Sequence, residues 1–278
     1  MTSFIQNTDF FAGNNPETIA SEYGTPVYVY NEKILRDRMA KVAKVITKYP
    51  YTANYSVKAN TNIHILKLAL EEGLNCDAMS VGEITLLMKA GFPVERIFFV
   101  PNNVAPYELA FALKNGVMTS LDSLSQLELF GEVCNQMKIE PAKRKCAVRI
   151  NPGVGAGHHE KVVTGGKKTK FGIAEYSIPQ IFEIAEKYQI TIAGINQHIG
   201  SLFMDPQPYL DAVTNLLRIA HQFKNLEFID FGGGYGIPYH KLDDEKDFPM
   251  EDFKSRLEPI LDEFVASYGK APLFKSEP

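Results

Sequence analysis

From Tyr51 onward the sequence alternates short apolar runs with longer segments of helical period, and it does so eight times. The runs are Tyr51–Val57, Asn75–Met79, Arg96–Val100, Val117–Leu121, Lys145–Ile150, Thr191–His198, Leu226–Phe231 and Pro272–Glu277. Such an alternation calls for parallel strands joined by crossover helices. The segments between the runs carry helix punctuation. Ile63–Glu72 ends at Gly73, Val81–Ala90 ends at Gly91, and Ser123–Met137 has Ser123 as a candidate N-cap. Eight strand-then-helix units in about 230 residues match a closed (β/α)8 barrel, a TIM barrel of the α/β class, better than an open doubly wound sheet.

Two stretches fall outside that repeat. Val27–Tyr30 reads as a strand and Glu32–Lys48 as a helix preceding the first barrel strand. At the other end the sequence stops at Ser276-Glu277-Pro278, directly after the eighth run. The expectation is a chain cut after its barrel, with the eighth strand and Val27–Tyr30 loose or paired with another chain.

Composition narrows the partners. Of the 278 residues 45% are hydrophobic, enough for one large core or two modest ones. A net charge of -4 gives no general electrostatic reason to seek nucleic acid or anionic lipid, so a small molecule is the default partner. The cysteines, Cys76, Cys134 and Cys146, are odd in number, widely spaced and without histidines at ligand spacing. That argues against a disulfide framework or a structural metal and fits a reducing cytosol. Met1–Phe11 lacks the basic-then-apolar pattern of a signal peptide, and no apolar run is long enough to span a bilayer. A cytoplasmic protein is expected.

In a (β/α)8 barrel the chemistry gathers at the carboxyl ends of the strands, often with a phosphate held after strands seven and eight. Run one ends in Ser56-Val57-Lys58-Ala59-Asn60 and places an amine at the mouth; run two ends in Cys76-Asp77-Ala78-Met79-Ser80. A lysine there is either a solvated charge or, enclosed among polar groups, a nucleophile able to form a Schiff base. Run six ends in Gln197-His198-Ile199-Gly200-Ser201, so His198 is a satisfied core histidine or a rim imidazole. His158 and His159, in the polar loop Gly153–Lys170, read as exposed. Run seven ends in Asp230-Phe231-Gly232-Gly233-Gly234-Tyr235-Gly236, a tight turn or a phosphate cradle in which backbone N–H groups converge without Cβ obstruction. Arg149, near the end of run five, is an active-site donor or a structural ion pair, and Glu277 stands at the end of run eight.

Taken in order, Tyr55-Ser56-Val57-Lys58-Ala59-Asn60, Ser80-Val81-Gly82-Glu83, Arg149-Ile150-Asn151-Pro152, Lys170-Phe171-Gly172, His198-Ile199-Gly200-Ser201 and Gly232-Gly233-Gly234 strongly resemble the motifs of the fold-type III pyridoxal-phosphate-dependent decarboxylases, whose barrel is alanine racemase-like. The resemblance covers essentially the whole chain. It implies pyridoxal 5′-phosphate as cofactor, Lys58 as the Schiff-base lysine and His198 as the residue stacked on the pyridine ring. It further implies Ser201, Gly233 and Gly234 as phosphate ligands, Asp77 and Arg149 as residues ordering Lys58 and the ring, and Glu277 as the carboxylate paired with the pyridinium nitrogen.

Within that family the stretch His158 to Lys167, followed by Lys170-Phe171-Gly172, looks most like the branch acting on meso-2,6-diaminopimelate. The implied reaction is its decarboxylation to L-lysine and carbon dioxide, the last step of lysine biosynthesis, by a homodimer. Rival readings are ornithine, arginine or carboxynorspermidine as substrate, an alanine racemase, or a non-catalytic regulatory homologue. Glu277 disfavours the racemase, expected to carry arginine at the ring nitrogen. Where the family continues Glu-Pro-Gly-Arg into a β domain, this sequence ends at Glu277-Pro278. The resemblance therefore assigns residues 1–30 to that β domain and 31–278 to the barrel, and implies a chain that binds the cofactor but turns over little.

Overall fold

The computed structural model describes residues 9–151, 153, 170–239 and 246–278. Eight parallel strands pair in sequence order and close on themselves, β8 against β1. They are β1 (Tyr51–Ser56), β2 (Asn75–Ala78), β3 (Ile97–Phe99), β4 (Met118–Leu121), β5 (Lys145–Arg149), β6 (Thr191–Asn196), β7 (Phe228–Asp230) and β8 (Leu273–Ser276). The strands fall within the eight expected runs, and every one is shorter. At the upper rim the backbone leaves the ladder to present side chains: β1 gives way at once to a 3-10 turn, Val57–Ala59, that carries Lys58.

Among the described residues, helix α1 (Pro16–Tyr23) and helix α2 (Glu32–Val42) precede the barrel. The crossovers are α3 (Ile63–Glu71), α4 (Val81–Ala90), α5 (Pro106–Asn115), α6 (Leu124–Gln136), α7 (Ile178–Tyr188), α8 (Gln207–Ala220) and α9 (Met250–Tyr268). Their boundaries follow local chemistry. The Ser80 hydroxyl accepts from the Glu83 N–H at 3.2 Å while the Glu83 carboxylate accepts from the Met79 N–H at 2.6 Å, so two otherwise orphaned donors start α4. Gly91, at φ 99°, ends it in a left-handed conformation. Ser123 caps α6, as expected, by accepting from the Gln126 N–H.

The apolar core lies between strands and helices, where Leu66, Ile84, Leu127, Val148, Ile195 and Leu216 are fully buried. The inside of the barrel differs. Phe98, Ala147 and Phe228 form a small apolar plug of their own. Asn54, Asp77, Ser120, Arg149, Asn196, Asp230 and Lys275 are buried as well. They bond across the lumen, Asn54 to Asp230 and Ser120 to Asn196. All three cysteines are buried free thiols.

Two expectations are overturned. Val27–Tyr30 forms no strand; it runs over the surface with Tyr28 90% exposed, and the Tyr30 hydroxyl accepts from the Asn60 side chain at 2.9 Å. Its β-branched and aromatic residues meet no neighbouring strand, and pairing is what turns such a run into sheet. Nor is β8 loose. It pairs on both sides, Phe274 standing level with Tyr51 and Ile229. Its outer face is covered because α2 stops at Val42, short of the expected Lys48, and the chain from Ala43 to Pro50 folds against it. Tyr49 and Phe264 meet the Phe274 ring edge-on at 6.0 and 6.2 Å, Phe231 stacks on it at 5.5 Å, and Lys48 reaches Asp262 on α9 at 2.7 Å.

Phe274 is thus the piece that seals the closing strand. Phe274→Ala is expected to lower the unfolding free energy by roughly 3–5 kcal/mol, checked by equilibrium denaturation with an unchanged m-value.

Candidate functional site

At the carboxyl ends of the strands lies a cavity of about 210 Å³. Six residues singled out from the sequence line it: Lys58, Asp77, Arg149, His198, Ser201 and Glu277. Gly233 and Gly234 stand beside them, Gly233 against the Glu277 carbonyl and Gly234 against the Gly200 carbonyl. His158 and His159 lie outside the described residues. A larger cavity, about 340 Å³, between residues 44–49 and α9 shares no residue with this one; its lysines Lys48 and Lys254 are ion-paired in the open, and nothing titratable is buried there.

Each side chain is positioned by its strand. Asp77, on β2, is 1% exposed and accepts from the Ser56 hydroxyl at 2.7 Å. Burial pushes its carboxyl up to about 7, against the pull of Lys58 and of Ser56. Lys58 itself is exposed rather than enclosed, because the 3-10 turn lifts it to the open mouth. Its charge is felt by Asp77, Glu277 and His198. Arg149, at the end of β5, lies 5.0 Å over the Phe171 ring and donates to Asn102 at 3.4 Å. Burial lowers its pKa, while Glu277 and Asp122 raise it. His198 is half-buried, and desolvation, reinforced by Arg149 and Lys58, pushes its imidazole down to about 3, so the ring is neutral near neutral pH.

Glu277 is 8% exposed and one carboxyl oxygen, Oε1, has no hydrogen-bond partner. Burial drives its pKa well above the usual carboxylate range, and Asp230 and Asp77 push the same way. Asp230 was not legible as a site residue in the sequence. It lies beside Glu277, with Oδ1 accepting from the Gly232 N–H at 2.9 Å and Oδ2 from Asn54 at 3.3 Å. Lys275 was also missed: its ammonium lies inside the barrel, 3.9 Å over Phe228 and 4.9 Å over Phe98. The available signal was alternation within run eight, where Lys275 and Glu277 are two apart and alternation puts them on one face.

The glycine run is built as a cradle. Gly232 and Gly234 have φ of 69° and 109°, and a Cβ at Gly233 or Gly234 would collide with a backbone carbonyl. The Gly232 carbonyl accepts from the Tyr209 hydroxyl at 3.0 Å and from the Glu277 N–H at 2.9 Å, which fixes the loop's orientation. Tyr235 donates to Tyr209 at 3.3 Å, extending this support; both tyrosines are further residues that sequence reasoning did not find. The N–H groups of Gly233 and Gly234 donate to no group among the described residues, the arrangement an anion requires.

Residues 32–278 match the family model of the pyridoxal-dependent decarboxylases, in its pyridoxal binding domain. The chain belongs to the pyridoxal-dependent decarboxylase family. A diaminopimelate decarboxylase of Methanothermobacter thermautotrophicus is 38% identical over 96% of this chain and 62% of its own length. One from Aquifex aeolicus is 32% identical over 92% of this chain and 61% of its own. The solved diaminopimelate decarboxylase of Helicobacter pylori, complexed with L-lysine, superposes with a TM-score of 0.85 at 26% identity, covering 95% of this chain and 66% of that one. The chain thus spans about three-fifths of the length of the curated relatives it matches.

The cofactor of this decarboxylase family is pyridoxal 5′-phosphate, and the cavity has what each part of that molecule needs. Unused N–H groups in a Cβ-free loop suit its phosphate, an unpartnered buried carboxyl oxygen suits its ring nitrogen, and an exposed amine suits its aldehyde. Gly233→Ala is expected to weaken pyridoxal 5′-phosphate binding at least about tenfold, roughly 1.4 kcal/mol, in a fluorescence titration, with an unchanged circular dichroism spectrum.

Proposed function

We propose that this chain serves the decarboxylation of meso-2,6-diaminopimelate to L-lysine and carbon dioxide. The observation that carries the reading is the 38% identity to a diaminopimelate decarboxylase across 96% of the chain, joined to a cavity equipped for the cofactor. When bound, pyridoxal 5′-phosphate supplies an electron sink for the pair left behind as the carboxylate departs.

The chain's own residues supply the rest. Lys58, exposed at the mouth of the cavity, would hold the cofactor through its aldehyde, its amine being the group able to form and release a Schiff base there. His198 would lie against the ring as a neutral imidazole, since burial pushes its pKa down to about 3 and so keeps a second cation away from the pyridine. The N–H groups of Gly233 and Gly234, with the Ser201 hydroxyl, hold the phosphate. Glu277 would meet the ring nitrogen with its unpartnered Oε1, and Asp77 and Arg149 would orient Lys58 and the ring.

A cytoplasmic homodimer is part of the same proposal. Three buried free thiols accord with a reducing compartment, and no helix among the described residues is long and apolar enough to cross a membrane. The exposed aromatic strip at Tyr28 and Tyr30 offers a surface for a second copy. Assignment of residues 1–30 to a region outside the barrel draws support from the family match, which begins at residue 32.

The test is carbon dioxide release from the full-length protein supplied with meso-diaminopimelate, ornithine, arginine and carboxynorspermidine in turn. Preference for diaminopimelate supports the substrate, and preference for another replaces it. Lys58→Ala is expected to abolish the borohydride-trappable attachment of the cofactor and to leave below about a hundredth of the activity.

A further inference from the structure

The barrel encloses two buried carboxyl groups on neighbouring strands, Asp230 ending β7 and Glu277 just beyond β8: Lys275 stands level with Asp230, and, two residues on, the Glu277 N–H donates to the Gly232 carbonyl at 2.9 Å. The two are held differently. Asp230, fully buried, is fastened at both oxygens, by the Gly232 N–H at 2.9 Å and by Asn54 at 3.3 Å. Both contacts are donors, so they favour the ionised form. Glu277 lines the cavity, and its buried Oε1 has no hydrogen-bond partner. Lys275 stands level with Asp230 across the β7–β8 ladder, its ammonium resting on two aromatic faces with no carboxylate oxygen within ion-pair distance among the described residues. It attracts both carboxyl groups.

We infer that Asp230 and Glu277 share a single proton in the cofactor-free site, with Asp230 the positioning residue that turns Glu277 Oε1 toward the cavity and Lys275 the charge that limits the pair to one proton. Two adjacent carboxylates in a low-dielectric interior do not both ionise, and two neutral carboxylic acids would waste the donors placed on Asp230. The pair therefore carries one negative charge. That charge equals the single positive charge of a protonated ring nitrogen, so the ligand's cation is neutralised without burying a second anion. The shift directions agree: burial raises both groups, and the Gly232 N–H and Lys275 restrain Asp230, leaving the proton on the Glu277 side.

The groups facing the pair come from every wall. Asp77 raises the Glu277 pKa, Lys58 and Arg149 lower it, and Tyr51, Tyr209 and Tyr235 lie within the field of Asp230. His198, on β6's rim, is neutral. Removing Asp230's charge should let Glu277 ionise at lower pH, and removing Lys275's charge should hold the shared proton to higher pH.

The inference rests on Glu277 facing the ring nitrogen, and the test separates the two. Infrared difference spectra of the cofactor-free protein are recorded against pH, following the carbonyl stretch of a buried protonated carboxyl. The wild type should show that band near neutral pH, and Glu277→Gln should lose the component that remains in Asp77→Asn, Asp77 itself titrating near 7. In Asp230→Asn the band should vanish about one pH unit lower or more, and in Lys275→Met it should persist higher. Opposite displacements exclude a common folding defect, which thermal melts of each variant monitor. No band in the wild type, or the same titration in all three, overturns the shared proton. The absorbance of loaded Glu277→Gln reports the other reading separately: an unchanged spectrum removes Glu277 from the ring nitrogen while leaving the pair intact.

Discussion

Everything at the rim depends on one pairing, that of β8 with β1. Six of the cavity's polar side chains come from positions spread between residue 58 and residue 277, and only a closed ring brings the first and last within reach of each other. Closure is expensive in exposed surface unless the seam is sealed. Here the seal is the segment from Ala43 to Pro50 and the aromatic packing around Phe274. Barrel stability and the assembly of the cavity are therefore the same problem, settled by a handful of ring contacts on the outside of one strand.

Much of this was legible in the sequence. The eightfold alternation gave the barrel, and strand ends gave Lys58, Asp77, Arg149, His198, Ser201, the glycines and Glu277, all of which meet at one place. What escaped is instructive. Asp230 precedes a glycine run and reads as turn chemistry, yet it is a fully buried acid. Lys275, in a chain-end run, reads as a solvated charge until pairing with β7 turns it inward. A single strand does not disclose whether its inner face meets other polar groups; Asn54 and Asp230 are bonded although 176 positions apart. Val27–Tyr30 failed for the reverse reason, since its composition favours a strand but no partner strand lies alongside.

The lumen also inverts the usual division of labour in a barrel, where stacked aliphatic side chains fill the interior. Here a thin layer around Phe98, Ala147 and Phe228 does the filling, and above it lie acids, amides and two cations shielded from bulk water. In that setting the charge of any one group is set by its neighbours. This is why Asp77, Asp230, Glu277 and His198 are all displaced far from their ordinary titration ranges, and why the exposed Lys58 nonetheless bears on three of them.

The hydrogen bond from the Glu277 N–H to the Gly232 carbonyl joins the glycine cradle to the carboxyl group through main chain alone. It works as a gauge of fixed length. A ligand whose anionic end and nitrogen end are separated by that span engages both stations at once; a shorter or longer one engages only one. Because backbone atoms set the interval, side-chain substitution around the rim can change what is done to a ligand far more readily than what size of ligand is admitted.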